Sequence, residues 1–231
     1  MVTFNHLSTD QVQGIIHALE LFSFLEEGEA EEIAGDFLNI LGFDTGEFLI
    51  QEGGADRSLF VLLHGYASVV KEGAGIPMAQ LEPGDFFGEV AFLTGRKRIT
   101  NVIVHPPSMT SPPRSRFYLD ETIRTTILSK QKKTAIVLRL SHEILPTLGP
   151  SLRIRFKNMM IDRLSLRVEQ MSVKVEALMG ESPELEIDPE LEALIQQGGD
   201  SLTAIEKGCD AIVEHLIEFI ERLNQQLSEA F

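Results

Sequence analysis

GDFFGEVAFLTGRKRITNVIV, residues 84–104, is the stretch on which the reading of this chain turns. Gly88, Glu89, Val90 and Ala91 follow a glycine turn and open a short helix, whose first backbone N–H groups lack acceptors within the helix and point outward as donors. Such an end attracts a phosphate. Arg98 comes just past a second glycine turn at Thr94 and Gly95, placed to fold back over the same helix end and grip a phosphodiester with its planar fork. Glu89 only accepts hydrogen bonds, so beside an anion it is repelled unless the ligand also offers a hydroxyl, as a ribose does. The residue types therefore point to a phosphate joined to a sugar.

Outward from this segment, residues 42–104 alternate short apolar runs with turns. GEFLI (46–50), SLFVLLHGYASVV (58–70) and MAQL (78–81) read as strands, and EGGAD (52–56), KEGAG (71–75) and EPGD (82–85) separate them. Spacing of this kind predicts an antiparallel roll or barrel, with Gly53, Gly54, Gly73, Gly75 and Gly84 in its turns. Between 105 and 134 the pattern breaks: HPPSMTSPPRSR holds two proline pairs and SKQKK is basic and apolar-poor, which reads as a long excursion. AIVLRL (135–140) then reads as a buried strand that closes the barrel, and Ser141 with Glu143 and Ile144 as a helix start.

Helices flank the β region. Val12, Ile15, Ile16 and Leu19 give helical spacing over 9–20, with Ser8 or Thr9 as cap, and Ala30, Ile33, Ala34, Phe37 and Leu38 repeat it over 29–41. Phe156, Met159, Met160, Leu164, Val168 and Met171 mark a helix over 151–175, and the methionines read as a packing face. After the breaker GESPELEIDPE (180–190), residues 202–227 place Ile205, Cys209, Ile212, Leu216, Phe219, Leu223 and Leu227 at spacings of three and four. That helix needs a partner, either the preceding helix in a hairpin or the same helix of a second subunit, and periodicity does not separate the two.

At residues 84–104 the chain resembles the phosphate-binding cassette of the cyclic nucleotide-binding domain family, shared by bacterial catabolite regulators, protein kinase regulatory subunits and nucleotide-gated channels. The run FLIQEGGADRSLFVLLHGYASVV (48–70) resembles that family's paired glycine-turn strands, with Gly53, Asp56, Phe60 and Gly65 where its pattern expects them. The resemblance covers Leu21 to Val104 and resumes over Ala135 to Arg163. It implies that Glu89 binds the ribose 2′-OH, Arg98 the cyclic phosphate and the Gly88–Ala91 backbone the phosphate oxygens, with Phe87, Ile99 and Thr100 completing the ligand-binding set. The departure is Ile99, where the family usually has a small residue or threonine. Members that favour guanine often place a threonine hydroxyl there, so the resemblance implies cyclic AMP over cyclic GMP.

Charge and motifs limit the alternatives. The net charge is −15, and from Glu169 onward 15 acidic side chains face 3 basic ones. Nucleic acid, which demands a basic face, is an unsuitable partner. A DNA-binding regulator would need a basic helix-turn-helix where ELEIDPELEALIQQ (184–197) stands. No GxSxG, HExxH or GxxxxGK[ST] occurs, and His6, His17, His64, His105, His142 and His215 lack metal-ligand spacing, so neither catalysis nor a metal is expected. Cys209 reads as a small core residue. Arg114, Arg116, Arg124, Lys130, Lys132 and Lys133 of the excursion read as a solvated basic face. With no leader-like start and no long apolar run, a cytoplasmic protein that crosses no membrane is expected.

The sequence thus predicts an α+β chain: an antiparallel β-roll of jelly-roll type with flanking helices over 1–157, carrying an insertion at about 105–134, and an acidic helical extension over 158–231. The expected function is a cyclic AMP-sensing regulatory module that needs no cofactor and relays binding through its C-terminal helices. Its expected partners are itself, as a homodimer through those helices, or another protein. A ligand-free scaffold or dimerisation module, and a cyclic-dinucleotide receptor, are the alternatives.

Overall fold

The computed structural model describes residues 1–4, 7–26, 28–71, 77–106, 125–126, 133–180, 183, 193 and 201–229. The chain divides into two compact units, Met1–Pro146 and Thr147–Phe231, so the division falls at the start of the long helix. Most of the 105–134 excursion and of the 180–197 breaker lies outside the described residues.

The first unit opens with α1 (Thr9–Ala18), capped by a reciprocal box in which Gln11 donates its backbone N–H to the Ser8 hydroxyl and accepts from the Ser8 N–H. Its apolar spacing buries Ile15 and Ile16. The helix expected over 29–41 is only α2 (Glu29–Ile33), and Leu38–Phe43 is instead strand β2. Helical spacing at Phe37 and Leu38 loses because β2 finds ladder partners on both sides, β1 (Val2–Thr3) and β9 (Ala135–Leu140), while Gly35 and Asp36 weaken the helix between.

The roll is two antiparallel sheets. One runs β1-β2-β9-β4-β7 and the other β3-β8-β5-β6, with β3 (Phe48–Ile50), β4 (Leu59–His64), β5 (Tyr66–Val70), β6 (Ala79–Leu81), β7 (Phe86–Phe87) and β8 (Asn101–His105). Alternate residues from both sheets, among them Phe43, Phe60, Leu62, Val69, Val102 and Val137, form one core. The apolar runs of β4 and β9 are long because both are inner strands of the first sheet, buried on both faces.

SLFVLLHGYASVV is therefore two strands in different sheets, and the corner between them is Gly65. Its φ is +88°, and a Cβ there would lie 2.2 Å from the Thr134 carbonyl oxygen. Only glycine fits. After β9 the expected helix start at Ser141 is a 3-10 turn, His142–Thr147, with Pro146 inside it.

The second unit pairs α4 (Pro150–Met179) with α5 (Leu202–Glu229). The apolar stripe expected over 202–227 packs on α4 of the same chain. The buried stripe of α5 runs Cys209, Val213, Leu216, Ile220, Leu223 and Leu227, a strict alternation of four and three, and Phe219 is buried beside it. Ile205, expected on that stripe, is 42% exposed. At one end of the seam Arg153 makes a two-pronged ion pair with Glu206, and Lys157 bridges Glu206 and Asp210. Hydrogen bonds from Arg153, joined by Lys157, outweigh partial burial and hold the Glu206 carboxyl at about 2. Cys209 donates to Asn158, and burial pushes its thiol up, away from the reactive range.

Candidate functional site

The described buried polar or charged side chains are Ser58, Glu89, Arg98 and Lys157, and the first three belong to one region of the roll. Burying charges is costly unless they are paired. What surrounds Arg98 is thus the place to look for chemistry.

Between β7 and β8 the chain forms α3 (Glu89–Thr94), entered through Gly88 at φ +86° and left through Gly95 at φ +69°. Both turns need positive φ, which is why glycine stands at each end. Glu89, in the first turn, is 3% exposed, and Val90 and Ala91 are buried behind it. Phe87, also buried, stacks on Phe60 with ring centroids 5.4 Å apart.

Arg98 returns to the start of that helix, as its position past the second turn suggests. Nη1 donates to the Gly88 carbonyl at 2.8 Å, and Nη2 donates to the Ser58 carbonyl at 2.6 Å and to Asp56 Oδ2 at 2.9 Å. The guanidinium lies over the Phe60 ring, 5.6 Å from its centroid. A Cβ on Gly88 would meet Nη1 at 2.6 Å, so glycine is required here for close approach as well as for φ. Arg98 Nε is buried and has no hydrogen-bond acceptor among the described residues. Its backbone is clamped too: Gly53 N–H donates to the Arg98 carbonyl, and Arg98 N–H to Gly54. The EGGAD turn is thereby fixed to the arginine.

Asp56 joins two cations. Its Oδ1 accepts from Arg139 Nη2 and from the Ser58 hydroxyl, which itself accepts from Arg139 Nε. Burial pushes the Asp56 carboxyl up, but hydrogen bonds from Arg98, Arg139 and Ser58 outweigh it and hold it at about 2, against an ordinary 3.8. Burial lowers Arg98 from its usual value, opposed by Asp56 and by the charge of Glu89. The guanidinium stays charged at any physiological pH.

Because Asp56 is held lower in the folded state than in the unfolded chain, its contribution to stability is complete above about pH 4 and is lost as pH falls towards 2. Glu206 has the same sign, its loss starting slightly higher, from an ordinary value of 4.5, and running likewise towards 2. The melting temperature of a Glu206→Gln protein is therefore expected to fall steeply between pH 4 and pH 2, and that of Glu206→Gln with Asp56→Asn much less so, by circular dichroism.

Of the predicted site residues, Gly88, Glu89 and Arg98 meet at one helix end, with Phe87, Val90 and Ala91 packed behind it. Ile99 and Thr100, half-buried, lead into β8, and the Ile99 carbonyl accepts from Lys71 Nζ at 2.8 Å. Ser58 and Arg139 were not singled out by sequence reasoning, and Asp56 only as part of a pattern. One signal for Arg139 was available: a lone arginine in the apolar run AIVLRL has to find a counter-charge once that strand is buried. Among the described residues no group of His, Cys, Asp and Glu could hold a metal, and no helix is long and apolar enough to cross a membrane.

Residues 41–109 match the family model described as the cyclic nucleotide-binding domain. The matched stretch contains both glycine turns, α3 and Arg98. The cAMP-dependent protein kinase regulatory subunit of Emericella nidulans is 32% identical over 90 residues, 39% of this chain and 22% of that protein. Human cGMP-dependent protein kinase 2 is 25% identical over 120 residues, 50% of this chain and 16% of that protein. The chain thus spans about a fifth of the length of the relatives it matches. A solved cyclic nucleotide-binding domain from Methylobacillus flagellatus superposes with a TM-score of 0.53 at 17% identity, covering 77% of this chain and 86% of that one. The two share the fold of a cyclic nucleotide-binding domain.

Proposed function

We propose that the cyclic nucleotide-binding domain of this chain binds a 3′,5′-cyclic nucleotide at Gly88–Thr100, cyclic AMP in preference to cyclic GMP, as a non-catalytic regulatory module. The single observation that carries the reading is Arg98: a buried cation whose Nε has no acceptor among the described residues, held at the start of α3 beside the buried Glu89 by a glycine that permits its close approach. Arg98 Nε and the first-turn N–H groups of α3 receive the phosphate, and Glu89 accepts from the ribose 2′-OH. Phe87, Val90 and Ala91 hold the cradle's shape, and Ile99 offers no hydroxyl to a guanine. The relatives that are cAMP-dependent kinase regulatory subunits support the adenine preference. Binding in the roll is relayed outward through the C-terminal helices to a protein partner in the cytoplasm.

A second reading has its own support. Both terminal nitrogens of Arg98 already have protein acceptors, Asp56, Gly88 and Ser58, as in a roll kept for scaffolding alone. Calorimetric titration with cyclic AMP, cyclic GMP and a cyclic dinucleotide separates the readings. Heat with the first at lower concentration than the second is the expected result. Tighter binding of the dinucleotide replaces the proposed ligand, and no heat or melting shift with any of the three at millimolar concentration leaves the scaffold.

A further inference from the structure

The contacts that join α4 to α5 fix the direction in which the two helices run. Arg153 reaches Glu206, Lys157 reaches Glu206 and Asp210, and Asn158 reaches Cys209. Partner numbers rise together along both helices, and the buried stripes continue in step, Leu164, Val168, Met171 and Val175 on α4 with Val213 to Leu227 on α5. The pair is parallel. A short loop produces an antiparallel hairpin, so a parallel pair within one chain requires a connection that returns the length of the helix.

Parallel packing along a heptad seam is the arrangement that two copies of one helix adopt around a two-fold axis. Here one chain supplies both helices, and charge sets which pairs are allowed. Two α4 helices side by side would place Arg153 and Lys157 against their own copies, and two α5 helices would do the same with Glu206 and Asp210. Like charges across such a seam are strongly disfavoured. Only α4 against α5 brings opposite signs together, and there each cation has an acid within 3 Å.

We propose that α5 is a built-in stand-in for a second subunit: the α4 stripe is an interaction surface reserved for an α5 helix, the Arg153–Lys157 and Glu206–Asp210 layer enforces that choice, and the pair closes within one chain. Tethering supplies an effective concentration on the order of millimolar, far above that of a second copy in solution. The inference is independent of what the roll binds.

The test uses three full-length variants: Arg153→Glu with Lys157→Glu, Glu206→Lys with Asp210→Lys, and all four substitutions together. Light scattering after size exclusion is expected to give the mass of one chain for the wild type at micromolar concentrations. Each double variant is expected to melt on the order of 5 °C or more below the wild type, and the fourfold variant to return to one-chain mass and near wild-type melting. Co-expressed, the two double variants are expected to form a one-to-one species of two-chain mass, because each then offers the acid or base the other lacks. A two-chain wild type, double variants that melt like the wild type, a fourfold variant that is not rescued, or no mixed species on co-expression would each overturn the proposal.

Discussion

Replacing Arg98 by alanine is expected to weaken cyclic nucleotide binding by about 2–5 kcal/mol, as when one partner of a buried hydrogen-bonded charge pair is removed. Two effects add. The phosphate loses the Arg98 Nε donor and its charge in a desolvated site, and the cradle loses its brace, because Arg98 ties the Gly88 carbonyl to Ser58 and Asp56. The second effect also shows without ligand: the Gly88 and Ser58 carbonyls lose a donor, at a cost to folding of about 1–3 kcal/mol. Arg98→Lys keeps the charge but offers a point donor in place of the fork. Affinity is expected to remain well below wild type in the lysine variant as well. Calorimetry at a temperature where far-ultraviolet dichroism shows both variants folded checks this. Wild-type affinity in Arg98→Ala would place the phosphate elsewhere and leave Arg98 a structural residue.

Gly65→Ala is expected to be the most destabilising single substitution considered, about 3–5 kcal/mol, with the melting temperature of the roll lowered by about 10 °C or more. The added Cβ meets backbone at close range: 2.2 Å from the Thr134 oxygen and 2.8 Å from Ala135 Cα. Neither can yield without shifting β9, which sits between β2 and β4 and carries both ladders. Gly46→Ala isolates the strain component. Gly46 also has positive φ, +85°, but a Cβ there would meet nothing within 4 Å, so only about 1 kcal/mol is expected. Equal melting temperatures for the two variants would mean that the Gly65 corner relaxes freely.

Much of the roll was legible because its punctuation is local. The glycine turns at Gly53, Gly65, Gly88 and Gly95 each answer to a positive φ, and the apolar runs between turns have the length of strands. The meeting of Gly88, Glu89 and Arg98 at one helix end was legible for the same reason: they lie within eleven residues, so one turn, one helix start and one returning arginine can be read without knowing the rest of the chain. Leu38–Phe43 failed as a helix because its preference is overridden by two strand partners, one of them about a hundred residues away.

What the sequence alone determined about this protein is the set of local geometries: where the chain turns, which faces are apolar, and that Arg98 follows closely on the start of α3 at Gly88. Tertiary structure decided the company these residues keep. Asp56 stands 42 residues from Arg98 and 83 from Arg139, and only the stacking of strands brings one carboxylate between two guanidinium groups. It also decided that α5 lies along α4 in the same direction. Periodicity records which side of a helix must be covered, but an apolar stripe is nearly the same read from either end; the direction shows in which charges meet, Arg153 and Lys157 with Glu206 and Asp210, a pairing that exists only once the helices are side by side.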